Sequence, residues 1–132
     1  MRGFLINIEE ATLQNTDYRR VLYTTYNSQL VLMSLKPGEE IGSERHGLDQ
    51  FIRLEQGKGK AIIDEEEKEI VADDALVIPA GTWHNIMNTG EEDIKLYTLY
   101  TPPEHKFDTV QPSKTDEVED HFDGVTNLAK DT

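Results

Sequence analysis

An all-β sandwich or barrel of antiparallel strands is the fold class this sequence predicts. Short apolar runs recur along it, Gly, Pro and charged turn signals separate them, and no segment over Gly3 to Pro102 carries a helical period of sufficient length. With 132 residues the chain suits one domain around a single core and is too short for two.

The runs justify the class one by one. FLINI (residues 4–8) is stopped by Glu9 and Glu10, well short of a signal-peptide core. RRVLYTTY (19–26) and QLVLMSLK (29–36) follow, the second closed by Pro37-Gly38. QFIRLEQ (50–56) leads into Gly57-Lys58-Gly59-Lys60, which lacks the spacing of a phosphate loop and reads as a turn. KAIIDE (60–65) and KEIVA (68–72) flank a charged tip from Asp64 to Lys68, and ALVIP (75–79) runs into Pro79-Ala80-Gly81. HNIMN (84–88) precedes Asn88-Thr89-Gly90, and IKLYTLY (94–100) is the last strand predicted. Residues 1–111 therefore form the β domain, and 112–132 an acidic tail. Within the tail SKTDEVEDHFDG has the makings of one or two helical turns capped by Ser113 or Thr115, although its charge favours a loosely held segment.

Composition removes several function classes. A formal charge of −13 opposes a nucleic-acid partner, since binding to a phosphate backbone draws on Lys and Arg. No apolar stretch spans a bilayer, so a cytoplasmic protein without a membrane partner is expected. Cysteine is absent, which rules out a disulfide framework, a thiolate metal site and a cysteine nucleophile. Any metal here is held by nitrogen and oxygen.

Strand parity singles out a polar set. If Leu48 to Leu54 is a strand, Leu48, Gln50, Ile52 and Leu54 share one face, while Phe51, Arg53 and Glu55 take the other. Glu44 and His46 also lie two apart, so in extended backbone they share a face with each other. Three polar groups turned to an apolar interior are costly unless something satisfies them, and a metal ion would. Each has an ordinary alternative: a strand histidine, a solvated Glu44, or a Gln50 amide bonded to Glu44 or water.

Downstream, PAGTWHNIMN (79–88) adds His84. Together the two stretches resemble the paired motifs of the cupin superfamily. Gly38, Glu44, His46, Gln50 and Gly57 fall at the places of its first motif, and Pro79, Gly81, His84 and Asn88 at those of its second. Asp73 stands where the second motif begins with Gly, Glu44 where the first has its leading His, and Gln50 where it has Glu. The resemblance spans about residues 30–100. It implies a double-stranded β-helix, the RmlC-like cupin jelly roll, with a metal held by Glu44, His46, Gln50 and His84. The ligand set is similar to that of mannose-6-phosphate isomerase-type cupins. It also implies a homodimer paired through sheet edges, for which FLINI and RRVLYTTY look suited.

Two imidazoles, one carboxylate and one amide oxygen suit one divalent transition metal, Zn, Mn, Fe, Ni or Co. Such an ion keeps a net charge of about +1 and, when six-coordinate, two positions for a small-molecule ligand or substrate. The pocket walls expected are Met33, Trp83 and Tyr97, with Phe51 and Tyr100 as further aromatics. Tyr97 and Tyr100 have opposite parity, so at most one faces inward. His105 and His121 are expected in solvent and are given no role.

The function this implies is a metal-dependent enzyme on a small polar molecule, a sugar or a hydroxy or keto acid, with isomerase or dioxygenase chemistry. Isomerisation requires a base, and no spare carboxylate or histidine is identifiable in the sequence, so oxygenase chemistry suits the inventory better. A non-enzymatic binding or sensing cupin is the alternative. A cupin without metal, using Glu44 and Gln50 to bind a sugar directly, is the third.

Overall fold

The computed structural model describes residues 2–130. One helix, α1 (Ile8–Gln14), precedes nine strands: β1 (Arg19–Thr24), β2 (Gln29–Leu35), β3 (Asp49–Gln56), β4 (Lys58–Ile63), β5 (Glu66–Val71), β6 (Ala75–Ile78), β7 (His84–Asn88), β8 (Ile94–Thr101) and β9 (Val110–Gln111). The larger sheet has the order β6-β3-β8-β2-β1-β9 and the smaller β5-β4-β7, with every pairing antiparallel. Val31, Leu35, Ile52, Leu54 and Leu96 of the larger sheet share one core with Ala61, Ile70 and Ile86 of the smaller, the two-layer jelly roll expected.

Parity holds along β3: Gln50, Ile52 and Leu54 are buried, and the residues between them are not. The β4–β5 hairpin closes through Asp64 and Glu65, at φ 51° and 69°, the left-handed pair of a type I′ turn. Gly57 ends β3 at φ +94°, where an added Cβ would sit 3.0 Å from the Asp93 carbonyl oxygen, so the motif glycine is required by both backbone and space. Gly59 is tighter still. It lies inside β4 opposite Asn88, and a Cβ there would fall 2.1 Å from the Met87 carbonyl oxygen. Gly59→Ala is expected to destabilise the protein by about 3 kcal/mol, read as a lowered urea midpoint, because the obstacle is strand backbone. An unchanged midpoint would mean that β4 and β7 can separate without cost.

Three expectations are corrected. FLINI is not a strand. Its last residue opens α1, whose N-cap Asn7 accepts a hydrogen bond from the Glu10 amide and whose first turn carries Glu9 and Glu10. A helix this short has no legible period, and Asn7 with the following acids was its one local signal. Second, GKGK is not a turn beyond Gly57: Lys58, Gly59 and Lys60 belong to β4.

The third correction concerns the C-terminal segment, which is tied to the sandwich at several points although most of its residues stay exposed. Ser113 opens a single 3₁₀ turn, Lys114–Asp116, by donating its amide and hydroxyl to the Asp116 carboxylate. Lys114 donates to the Glu40 carbonyl, Glu117 pairs with Arg19 at 2.9 Å, and Asn127 Oδ1 accepts from the Thr24 amide. Residues 117–121 of the segment come beside Arg19, Glu44 and His46. No helix among the described residues is long and apolar enough to cross a membrane.

Candidate metal centre

Backbone pairing brings the predicted ligands together. Glu44 and His84 exchange both amide-to-carbonyl hydrogen bonds, at 2.9 and 3.0 Å, so the loop before β3 is stitched to the start of β7 at this point. Gly81, in the Pro79-Ala80-Gly81 turn, donates its amide to the His46 carbonyl at 2.7 Å and holds that loop from the other side. Asp73, standing in the place of the motif's glycine, adopts φ 77°, a left-handed conformation that Asp tolerates better than most residues. Asn88 is structural: its Nδ2 donates to the Leu35 and Glu92 carbonyls and its Oδ1 accepts from Gly90.

The side chains converge as strand parity implied. Glu44 Oε1 lies 3.2 Å from His46 Nε2 and 3.7 Å from His84 Nε2, and ligand atoms of all three residues lie within 4.8 Å of one another. His84 Nδ1 lies 2.9 Å from the Thr82 carbonyl, which can only accept, so the proton is on Nδ1 and the lone pair on Nε2. His46 turns Nδ1 toward Glu104 Oε2 at 3.5 Å, which favours the same tautomer. Gln50 donates Nε2 to Thr98 Oγ1 at 3.0 Å, leaving Oε1 free, and the β3–β8 register sets it beside Tyr100, whose ring meets His46 edge-on.

Three atoms then remain unsatisfied: His46 Nε2, His84 Nε2 and Gln50 Oε1 are buried without a hydrogen-bond partner. With the tautomers above, all three are acceptors, and the two imidazole nitrogens face a carboxylate that also only accepts. A cation satisfies such a set and another acceptor cannot. Metal–ligand bonds of about 2.1 Å put two ligand atoms at most about 4.2 Å apart, so contraction by a few tenths of an ångström suffices. Glu44, His46 and His84 fit a divalent metal.

The electrostatics point the same way. Burial acts to raise the Glu44 pKa, but when His46 and His84 carry a proton on Nε2 in place of a metal, their hydrogen bonds and charge outweigh it and hold the group at about 2. Burial acts to lower His46, and the Glu44 carboxylate outweighs it, so the imidazole is raised from its ordinary value. Glu44 is thus anionic throughout the physiological range, and a proton competes with a metal ion for the seat beside it.

Beside the cluster opens a cavity of about 350 Å³. Arg19, Glu44, Arg45, His46, Glu104 and His105 line it, together with residues 117–121 of the C-terminal segment. None of the expected wall residues lines it. Met33 is core, on the inner face of β2 opposite Leu96. Trp83 is 53% exposed, with the Arg45 guanidinium over its ring. Tyr97 lies on the outer face of the larger sheet against Phe51. Tyr100 is the inward tyrosine, buried between His46 and His105.

His105 is also corrected. It is 8% exposed rather than solvated, and burial, reinforced by the positive charge of Arg19, pushes its pKa down to about 3. His121 is exposed as expected and lies 3.1 Å from Glu104 Oε1. The places of Arg19, Glu104, His105 and residues 117–121 in the cavity lining were missed by sequence reasoning. For His105 the Pro-Pro-Glu-His stretch after the last predicted strand was a visible cue, whereas Arg19 and Glu117 had none.

Comparisons with known proteins bear on this arrangement. Residues 31–100 match the cupin domain family. YrkC of Bacillus subtilis (strain 168), described as an uncharacterised protein, is 45% identical over 124 residues, 89% of this chain and 67% of its own. The crystal structure of BH2720 from Bacillus halodurans superposes with a TM-score of 0.85 at 43% identity, covering 87% of this chain and 92% of that one. A predicted oxalate decarboxylase from Thermotoga maritima shares the fold alone, with a TM-score of 0.58 and 21% identity over 64% of this chain and 80% of its own. None of these is described as a mannose-6-phosphate isomerase, so that part of the resemblance stays a likeness of ligand set. The match over residues 31–100, the jelly roll and the Glu44, His46 and His84 cluster agree: the chain belongs to the cupin family.

Proposed function

We propose that the protein is a metal-dependent enzyme that binds a small hydroxy or oxo compound and shifts a proton on it, as an isomerase does. The observation carrying this reading is Glu104, a carboxylate lining the same cavity as Glu44 and His46, with Oε2 3.5 Å from His46 Nδ1. It is the spare acid–base group missing from the sequence inventory, and it reverses the preference for oxygenase chemistry. When bound, the divalent metal supplies Lewis-acid polarisation of a substrate carbonyl or hydroxyl oxygen. Glu44, His46, Gln50 and His84 hold it. Glu104 takes the proton from the carbon beside that oxygen and returns it one atom along, with His46 and His121 orienting its two oxygens.

The test is deuterium incorporation from D₂O into dihydroxyacetone, hydroxypyruvate and a set of aldoses, followed by NMR with metal-loaded protein. Exchange by the wild type and a loss of at least about 100-fold in Glu104→Gln at unchanged metal content are expected. Saturable binding without exchange would replace the enzyme by a non-enzymatic small-ligand cupin.

A further inference from the structure

Where Arg19 and Glu117 line the cavity lies a second polar seat, which the proton transfer above does not use. Arg19 opens β1 and is 3% exposed, so its guanidinium is almost wholly withdrawn from water. Nη1 donates to Gln111 Oε1 at 2.7 Å and to Glu117 Oε2 at 2.9 Å, and Nε is buried with no partner among the described residues. The Tyr18 hydroxyl donates to the same Glu117 oxygen at 3.2 Å, with the Arg19 guanidinium 5.1 Å above the Tyr18 ring. A guanidinium and a phenol on adjacent residues thus receive one carboxylate oxygen.

The two halves of this ion pair differ. The Arg19 side chain is 4% exposed and rooted in the larger sheet, whereas Glu117 is 36% exposed and sits on the C-terminal segment after a single 3₁₀ turn. A buried guanidinium needs an anion beside it at all times, because removing one partner leaves an uncompensated charge. Glu117 is one such anion. A ligand entering the cavity can take its place only by bringing another, which a neutral sugar cannot do.

We propose that Arg19 and Tyr18 form the seat for a substrate carboxylate, which Glu117 fills as an internal stand-in until a small 2-hydroxy or 2-oxo acid displaces it. The acid's second oxygen then faces the Glu44, His46 and His84 cluster. This narrows the substrate class of the proposed enzyme and rests on that reading for the second oxygen only. Because apparent affinity is reduced by the fraction of molecules in which the seat is already filled, removing the stand-in strengthens binding.

Pyruvate and lactate are titrated by NMR into metal-free and metal-loaded protein, with 1,2-propanediol and inorganic phosphate as controls. Glu117→Ala is expected to bind both acids at least about tenfold more tightly than the wild type. Arg19→Gln is expected to bind them at least about tenfold more weakly, Tyr18→Phe a few-fold more weakly, and propanediol not at all. Equal affinity in the wild type and Glu117→Ala overturns the proposal, as does undiminished binding by Arg19→Gln, preference for phosphate, or no binding of either acid to Glu117→Ala. If Arg19→Gln does not fold, Glu117→Ala and Tyr18→Phe decide. Metal content measured on the same samples separates the two readings: loss of the metal site leaves acid binding to metal-free protein intact, and failure of the seat leaves the metal in place.

Discussion

His84→Ala is expected to strip the protein of stoichiometric metal. His84 Nδ1 is committed to the Thr82 carbonyl, so Nε2 is its remaining atom and is buried without a partner. Removing it deletes one nitrogen ligand and leaves the Glu44 carboxylate with a single imidazole. Loss of a group supporting a ligand typically costs 10- to 100-fold in metal affinity, so loss of the ligand itself should exceed about 100-fold. Elemental mass spectrometry of protein purified without chelator should find about one divalent ion per wild-type chain and less than about a tenth of one in His84→Ala. His46→Ala should match it, and Glu44→Ala and Gln50→Ala should fall between. Trp83→Ala is the control: its ring lies against Arg45 at the surface, and its metal content should not change. Full metal content in folded His84→Ala would place the bound ion elsewhere and end the metal-site reading.

Stability should fall as the pH drops from 6.5 toward 3, and His105 should account for a measurable share. Its imidazole is enclosed by the Tyr100 ring, with Asp120 4.0 Å from Nδ1, and its pKa is pushed down to about 3 by burial, then by the charges of Arg19, His46 and His121 against the opposing pull of Glu44. The unfolded chain takes up a proton near pH 6.5 that the fold refuses, so the contribution is intact above 6.5 and declines below it. The slope is up to about 1.4 kcal/mol per pH unit, or about 2 kcal/mol between pH 6.5 and 5. His46 acts in the opposite sense, because its raised pKa adds stability as the pH falls. The His105 share is therefore read from the difference between wild type and His105→Gln in chelator-treated protein, by urea midpoints at pH 7.5, 6.5 and 5. A difference that does not change with pH would mean that His105 titrates normally in the fold.

Both effects begin in features the sequence carried unevenly. All the apolar runs except FLINI became strands: short β-branched and apolar segments bounded by turn residues, with clear alternation in β3 and β6. The inward turn of Gln50 and the shared face of Glu44 and His46 were legible for the same reason, and motif spacing joined them to His84 before any pairing was known. The helix at Ile8 escaped because seven residues are too few to display a period. Tyr97 and Tyr100 show where the reading stops. Their opposite parity was plain, yet which one faces inward depends on the register of β8 between β2 and β3, and that opposes Tyr100 to Gln50 and Tyr97 to Arg53.

The sequence by itself determined an antiparallel β-sandwich or barrel and the faces of several of its strands, since these are local. The jelly roll and the joining of His84 to Glu44, His46 and Gln50 came from the resemblance of its two motifs to those of cupins. Only the tertiary structure decided what surrounds the cluster. Glu104 and His105 reach the cavity from the loop after β8, and Arg19 meets Glu117 across 98 positions of chain. A segment that reads in isolation as a solvated acidic tail is held down by a buried guanidinium at the other end of the sequence. Its charge favours solvent, and the pairing that overrules that preference exists only once the sheet has brought Arg19 to the cavity wall.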